Sequence, residues 1–222
     1  QLKLGGAANA APVTFNTTAG SGSIVEYTGI AQTVFASVNY RHLKLSGSGT
    51  KTFSGGTTVN NDLNITGSGI TVSNANALTV SGNLNNSGTG TTTWGGNANT
   101  MTLTGNLLVT NNTTFTIGNT AVQVKTLNIT GNVQVNPGCV INIGAFAAVN
   151  ILSISGNLQV DGTFNMVQTF PGNVCNVTFS GASSNTVTSP GGTGTIGFNQ
   201  ITLTKGAVAN VLDVQTPITM SS

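Results

Sequence analysis

The sequence has very little charge: charged side chains make up 5% of its 222 residues, against about 25% in an average globular domain. Acid–base enzymes and nucleic-acid-binding proteins both depend on clustered charge. The six basic residues are spread along the chain, and no cluster could neutralise a run of phosphates. We therefore expect no nucleic-acid partner.

Long apolar runs and helix-forming windows are also missing. No apolar stretch approaches the roughly 20 residues of a membrane-spanning helix, and the N-terminus lacks the basic and apolar regions of a signal peptide. We expect no membrane insertion, and a chain that is either mature or a fragment of a longer one. Glycine, threonine and asparagine interrupt every helical pattern, so almost no α-helix is expected.

The sequence is instead rich in small uncharged residues, with 30 glycines, 37 threonines and 29 asparagines. Threonine favours strands, and glycine and asparagine favour turns. A hydrophobic content of 38% and a mean hydropathy of +0.18 are too high for a disordered chain. The composition predicts an all-β protein with many short strands.

A short signature recurs along the chain: apolar, any residue, apolar, serine or threonine, glycine, and often asparagine. The clear copies are 43–47 (LKLSG), 63–67 (LNITG), 78–83 (LTVSGN), 101–106 (MTLTGN), 127–132 (LNITGN), 152–157 (LSISGN) and 177–181 (VTFSG). Weaker copies are 25–29 (VEYTG) and 201–205 (ITLTK). From residue 78 onward the copies start 23, 26, 25, 25 and 24 residues apart, and the earlier copies are closer together.

Each period contains two further pairs of alternating apolar residues. In the period that starts at Leu127 they are Val133 with Val135 and Ile141 with Ile143. Alternation is typical of a strand with one buried face. We therefore predict a parallel β-helix, a β-solenoid with about three short strands per rung and roughly 23–26 residues per rung, wound right-handed. A β-sandwich is the rival, but it does not need one motif repeated at a fixed period.

We assign residues 1–42 to irregular N-terminal rungs and residues 43–222 to regular repeats. Inward aliphatic and aromatic residues form a continuous core, and the Gly-Asn corners are expected to adopt positive φ. The corner asparagines stack as an amide ladder: Asn83, Asn106, Asn132 and Asn157. For Cys139 and Cys175 both a disulfide and two separate buried thiols stay open; a period of 25 residues stacks Cys139 over Phe164 and so favours separate thiols.

Catalytic chemistry finds little support, because the four acids Glu26, Asp62, Asp161 and Asp213 are not spaced to lie side by side on neighbouring rungs. Asp62 and Asp161 are interpreted as turn residues. With one histidine and two unclustered cysteines, no metal site and no cofactor are expected.

Three other features are candidates for surface contact. Tyr40, Arg41, His42 and Lys44 form the most polar aromatic-bearing segment, a possible weak contact for glycans or other surfaces, with His42 as an outward strand residue. Trp94 is either core or an exposed binding aromatic, and core is preferred. Thr-x-Thr pairs are scattered over different strands (91 and 93, 102 and 104, 114 and 116), which does not favour the regular threonine array of ice-binding solenoids.

Part of the sequence resembles repeats of very large cell-surface adhesins of gliding Bacteroidota that are exported by the type IX secretion system. The matching segments are 26–29 (EYTG), 31–34 (AQTV), Tyr40, 43–52 (LKLSGSGTKT) and 59–65 (VNNDLNI). The match is good over about 40 residues and looser over the rest; the C-terminal sorting domain of that secretion route is lacking.

The resemblance implies a structural or adhesive segment of a secreted filament at the cell surface, associated with the outer membrane, that serves gliding motility or adhesion and not catalysis. Its expected partners are glycans or abiotic surfaces, the secretion and motility machinery of the cell envelope, and neighbouring repeats of the same chain. The alternative from the residues alone is a β-helix module that binds or degrades polysaccharides.

Overall fold

The computed structural model describes residues 1–6, 22–36, 39–96, 99–118, 124–145, 147–167 and 172–221. None of these residues is helical, and their strands form three parallel sheets. Parts of the predicted N-terminal segment, 7–21 and 37–38, lie outside the described residues.

The first sheet has ten strands, each hydrogen-bonded in parallel to the next. In ladder order they are β1 (Leu2–Leu4), β2 (Ile24–Tyr27), β4 (His42–Leu45), β7 (Leu63–Ile65), β10 (Leu84–Asn86), β13 (Leu107–Val109), β16 (Val133–Val135), β19 (Leu158–Val160), β22 (Asn185–Thr188) and β25 (Leu212–Val214).

The second sheet has nine strands in the same parallel arrangement. They are β3 (Gln32–Val34), β5 (Ser48–Phe53), β8 (Ser68–Asn74), β11 (Thr91–Gly95), β14 (Thr114–Ile117), β17 (Val140–Ile143), β20 (Thr163–Asn165), β23 (Thr195–Phe198) and β26 (Thr219–Met220).

The third sheet has seven strands. They are β6 (Thr57–Val59), β9 (Leu78–Val80), β12 (Asn99–Leu103), β15 (Lys125–Ile129), β18 (Val149–Ile154), β21 (Val174–Gly181) and β24 (Gln200–Lys205).

From β4 onward the chain visits the three sheets in turn, one strand in each, and then returns to the first sheet one rung further along the axis. This winding makes a β-solenoid of about eight turns and confirms the predicted fold. The seven-stranded sheet pairs Leu78 with Met101, Met101 with Leu127, and Leu127 with Leu152. The predicted period is therefore the rung itself.

Side-chain alternation explains why stacking creates the core. In the three-residue strands of the ten-stranded sheet the outer two side chains point inward and the middle one points to solvent. Register then stacks like on like: Leu63, Leu84 and Leu107 follow one another on successive rungs. All three are at most 1% exposed. A single rung could not bury these residues by itself.

The early copies of the repeat motif lie in a different sheet from the later ones. Val25, Leu43 and Leu63 stack in the ten-stranded sheet, whereas the copies from Leu78 onward stack in the seven-stranded sheet. The interval from Leu63 to Leu78 is therefore part of one rung and not a shortened period. Rungs near the N-terminus are nevertheless shorter, because Val25 to Leu43 and Leu43 to Leu63 are each a full turn.

The prediction of positive φ at the Gly-Asn corners is wrong. Gly82, Gly105, Gly131 and Gly156 have ordinary backbone conformations, and their lack of a side chain serves close approach between rungs. A Cβ at Gly131 would lie 2.5 Å from the carbonyl oxygen of Gly105. Such a contact is far inside van der Waals distance, so the ladder at this corner tolerates only glycine.

Cys139 and Cys175 are both free and buried, which confirms the preference for two separate thiols. The stacking of Cys139 over Phe164 is wrong, because Ile141 pairs with Phe164 and the Cys139 carbonyl accepts from the backbone N–H of Thr163. The offset arises because the corner before β17 is longer than the corner before β20. Burial raises the pKa of the Cys175 thiol to about 12, which keeps it protonated and unreactive at neutral pH.

We predict that Gly131→Ala destabilises the fold by about 1–3 kcal/mol, because the added methyl forces two rungs apart. Gly56→Ala is the matched control: its Cβ would meet no atom closer than 3.8 Å, and the expected change is within about 1 kcal/mol. Urea denaturation followed by circular dichroism measures both. Equal stability of the two variants would contradict the close-approach explanation.

Candidate functional site

The predicted surface patch does not form as one unit, because Tyr40 is fully buried. Its hydroxyl donates to the carbonyl oxygen of Phe35 at 2.9 Å and lies 2.8 Å from the hydroxyl of Tyr27. Burial raises the pKa of both tyrosines. The prediction that Tyr40 contacts ligands at the surface is wrong, since alternation through the preceding corner turns it into the core.

The remaining three residues of that segment lie at a small charged cluster on the outward side of the ten-stranded sheet. Lys44 Nζ is 3.0 Å from Glu26 Oε1, and Lys3 Nζ is 3.7 Å from Glu26 Oε2. Burial alone would raise the pKa of Glu26, but hydrogen bonds from Ser46 and Lys44 outweigh it and leave the pKa lowered. The carboxylate is therefore a fixed anion that is already neutralised by its neighbours.

His42 and Arg41 lie beside this cluster. His42 is half-buried on an outward strand position, as predicted, with Nδ1 3.6 Å from Asp62 Oδ2 and Nε2 3.2 Å from the side-chain amide of Asn61. Arg41 is half-buried, and its Nε has no hydrogen-bond partner. Lys3 and Lys44 are paired with Glu26, and His42 lies beside Asp62, so these side chains suit a structural role at least as well as ligand binding.

The corner asparagines form a ladder, but its hydrogen bonds run from backbone to side chain. The Oδ1 atom of each asparagine accepts from the backbone N–H of the residue at the same corner one rung further on: Asn83 to Asn106, Asn106 to Asn132, Asn132 to Asn157, and Asn157 to Thr186. The distances are 2.8–2.9 Å. Asp62 fills the same role for Asn83 at 2.8 Å. The ladder therefore needs an acceptor oxygen and not an amide.

We predict that Asn106→Ala lowers the free energy of unfolding by about 1 kcal/mol, because the Asn132 N–H loses its acceptor. Asn106→Asp keeps the acceptor and is expected to stay within about 0.5 kcal/mol of the wild type. Chemical denaturation at neutral pH measures the difference. If the aspartate variant were as unstable as the alanine variant, an amide-to-amide ladder would be the correct description.

Two buried lysines were missed by the sequence reasoning. Lys51 and Lys125 are both 0% exposed, and burial lowers the pKa of each to about 8. Lys51 Nζ donates to Gln32 Oε1 at 2.9 Å and to the Gly29 carbonyl. A buried ammonium needs such compensation.

Lys125 lies at the corner between the nine- and seven-stranded sheets. Its Nζ is 3.5 Å from Asn99 Oδ1 on the preceding rung and 5.6 Å from the ring centroid of Trp94. Trp94 is itself 0% exposed and donates through Nε1 to Asn74 Oδ1 at 2.8 Å, so the preference for a core tryptophan is confirmed. The alternating pattern could have predicted that Lys125 points inward, because it lies two residues before the inward Leu127.

We predict that Lys125→Met alters the pH dependence of stability. Between pH of about 8 and 10.5 the unfolded chain holds a proton on Lys125 that the folded chain has lost, so this lysine makes the free energy of unfolding rise with pH. The stability of the variant relative to wild type should fall across this window by on the order of 1–3 kcal/mol. Denaturation at a series of pH values measures this difference.

Lys3→Met is the control for that series, since the Lys3 side chain is 66% exposed. Its stability relative to wild type should stay constant between pH 8 and 10. A constant difference for Lys125→Met as well would show that Lys125 is not desolvated in the folded protein.

The acids do not assemble into a catalytic pair. Asp213 pairs with Thr186, which lies one rung beyond Asn157, so Asp213 is two rungs from Asn157. Asp161 lies four residues after Asn157 in the chain. Asp161 Oδ1 accepts from the backbone N–H of Gly191 at 2.6 Å, which is a contact between the corners of neighbouring rungs. Among the described residues, no group of three histidine, cysteine or acidic side chains lies close enough to hold a metal ion.

The outward side of the seven-stranded sheet carries two parallel rows of small polar side chains, which we call the hydroxyl face. The first row consists of Thr58, Thr79, Thr102, Asn128, Ser153, Thr178 and Thr202. The second row, two residues further along the chain on each rung, consists of Asn60, Ser81, Thr104, Thr130, Ser155, Ser180 and Thr204. The three Thr-x-Thr pairs lie on different strands, as predicted, and of the three only the pair at 102 and 104 belongs to this face.

The other two pairs stack on each other in the nine-stranded sheet, where Thr91 pairs with Thr114 and Thr93 with Thr116. Thr93 and Thr116 are 8% and 9% exposed, and Thr116 donates to Asn142 Oδ1 at 2.7 Å. The threonines of this sheet are thus partly covered and engaged within the protein.

No exposed aromatic ring is found among the described residues, whose exposed large hydrophobic side chains are all aliphatic or methionine. Within the same residues no helix is long and apolar enough to cross a membrane. Comparisons of the chain with protein-family models, curated proteins and solved structures gave no match.

Proposed function

We propose that this chain is a structural and adhesive segment of a large secreted filament on a bacterial cell surface, serving gliding motility or surface adhesion. The observation that carries the proposal is the unbroken parallel ladder, which links ten successive strands of one sheet by backbone hydrogen bonds. Each rung bonds only to its neighbours, so the segment is stiff along its axis. The sequence resemblance to surface adhesins supports the same function.

The exposed edge of the last described rung supports stacking with neighbouring repeats. Leu203, Val214 and Met220 are 39–54% exposed. Their partners one rung earlier are Phe179, Val187 and Phe198, and all three are 0% exposed. A further rung would bury these apolar side chains and pair the free strand edges. Neighbouring repeats of the same chain are the proposed occupants.

The faces of the segment supply the adhesive part of the proposal. Rows of hydroxyl and amide groups repeat at every rung, and each group adds one weak hydrogen bond to a glycan or an abiotic surface. Asn85 already donates to Asn64 Oδ1 at 2.9 Å along the ten-stranded face. Many weak contacts on a stiff rod combine into strong attachment. Secretion and motility machinery of the cell envelope would anchor the filament.

The proposal predicts that the intact protein containing this chain is a long filament attached to the cell envelope. Electron cryomicroscopy of source cells, with antibodies raised against this chain as the marker, measures both length and location. A strain that lacks the gene is the control for marker specificity. A compact secreted protein of about the size of this chain would contradict the proposal.

The second candidate function is polysaccharide degradation, and a shallow groove is the place where a substrate would bind. Asp161, Thr163 and Thr193 line this groove together with Cys139 and Val140. Its single acid lacks the second carboxylate that glycoside hydrolysis requires. Any polysaccharide cleavage by the purified chain that is lost in Asp161→Ala, but kept in Asp213→Ala, would favour the enzyme.

A further inference from the structure

The hydroxyl face has a regular spacing along the axis of the solenoid. Adjacent rungs of a parallel sheet are about 4.8 Å apart, so each row repeats its side chains at that spacing. In the second row Ser180 and Thr204 are strand residues, whereas Ser81, Thr104, Thr130 and Ser155 lie at the bend directly after their strands. Every position in the rows except Asn60 and Asn128 carries a hydroxyl. Oxygen atoms in hexagonal ice repeat at a similar spacing along one lattice direction.

The hydroxyls of this face are available to water. The side-chain hydroxyls of its threonines make no hydrogen bond to the rest of the described protein, and these threonines are half-buried or exposed. Ser153 and Ser155 contact only Ser180, at 3.2 and 2.9 Å. The contrast with the nine-stranded sheet is direct, because Thr92 and Thr116 there donate to the buried Asn86 and to Asn142.

Side-chain rigidity keeps the hydroxyl rows in place. Threonine is branched at Cβ and restricted at χ1, and the side chains of each row stand against identical or similar neighbours. Strands that are hydrogen-bonded on both sides fix the backbone, as β12 and β15 are. The oxygen positions are thus set before any ligand arrives, which lowers the entropic cost of binding an ordered surface.

The chemistry of the face selects one ligand class. Neither row contains a charged side chain, which would hold its own hydration shell, and neither contains an aromatic ring on which a sugar could stack. An ordered lattice of water molecules is complementary to uncharged hydroxyls that both donate and accept. We propose that the hydroxyl face binds ice, through water molecules held in register with the ice lattice.

This inference rests on the proposed function only in naming the abiotic surface that an adhesive segment would engage. The test uses the purified chain and two tyrosine variants on the same turn. Thr102→Tyr places a bulky ring at the third position of the first row of the hydroxyl face, and Leu108→Tyr places the same ring on the outward side of the ten-stranded sheet. Circular dichroism and thermal unfolding verify that both variants fold.

Partition into a slowly growing ice hemisphere and thermal hysteresis are measured for the three proteins. The wild type and Leu108→Tyr should enter the ice and depress its growth temperature, whereas Thr102→Tyr should lose most of both activities. Exclusion of the wild type from ice would overturn the inference, and so would full activity of Thr102→Tyr. Binding to crystalline cellulose without binding to ice would also overturn it.

The two proposals fail separately. A chain that ignores ice but belongs to a surface filament leaves the structural function intact and removes only the ice ligand. A chain that binds ice but comes from a compact secreted protein removes the filament and keeps the ice-binding face.

Discussion

The backbone hydrogen bonds between successive rungs are the interaction on which every other feature of this protein depends. Rungs at a spacing of about 4.8 Å force each side chain to stack on the residue in register with it. An apolar residue facing inward must therefore meet an apolar neighbour, and a corner must leave room for the next corner. The glycine corners and the asparagine ladder both fit this spacing, because they let backbone groups of neighbouring rungs approach closely and form hydrogen bonds.

The same constraint explains which parts of the fold the sequence could predict. The inward apolar pairs after Leu78 could be predicted, because each rung is covered by a rung on either side and must place apolar residues at the same positions as its neighbours. The assignment of the earlier copies failed because the ten- and seven-stranded sheets impose the same demand: two inward apolar residues followed by a tight corner. Local pattern cannot tell two faces of a solenoid apart when both corners contain serine or threonine and glycine. Only the register, a long-range property, separates Leu63 from Leu78.

The candidate site was less predictable, because side-chain chemistry and side-chain direction disagree at several positions. Tyr40, Lys51 and Lys125 are residue types that usually reach water, yet all three point inward. Alternation from neighbouring strand residues gives their direction correctly, and it outweighs polarity because the backbone ladder leaves no freedom to turn one residue around. The fold then compensates the buried polar groups with acceptors such as Gln32 and Asn99.

A solenoid also changes what a functional site is. In a globular enzyme, residues distant in sequence converge on one pocket, and isolated threonines do not indicate a binding site. Here one position per rung becomes a row, so a weak preference for hydroxyl side chains at that position produces an ordered surface many rungs long. The near absence of charge follows from the same repetition, because like charges stacked every 4.8 Å would repel one another along the whole axis. Uncharged hydroxyls and amides are the polar groups that can repeat in this way, which is why any binding by this protein is expected to be periodic, weak at each rung and directed at extended surfaces.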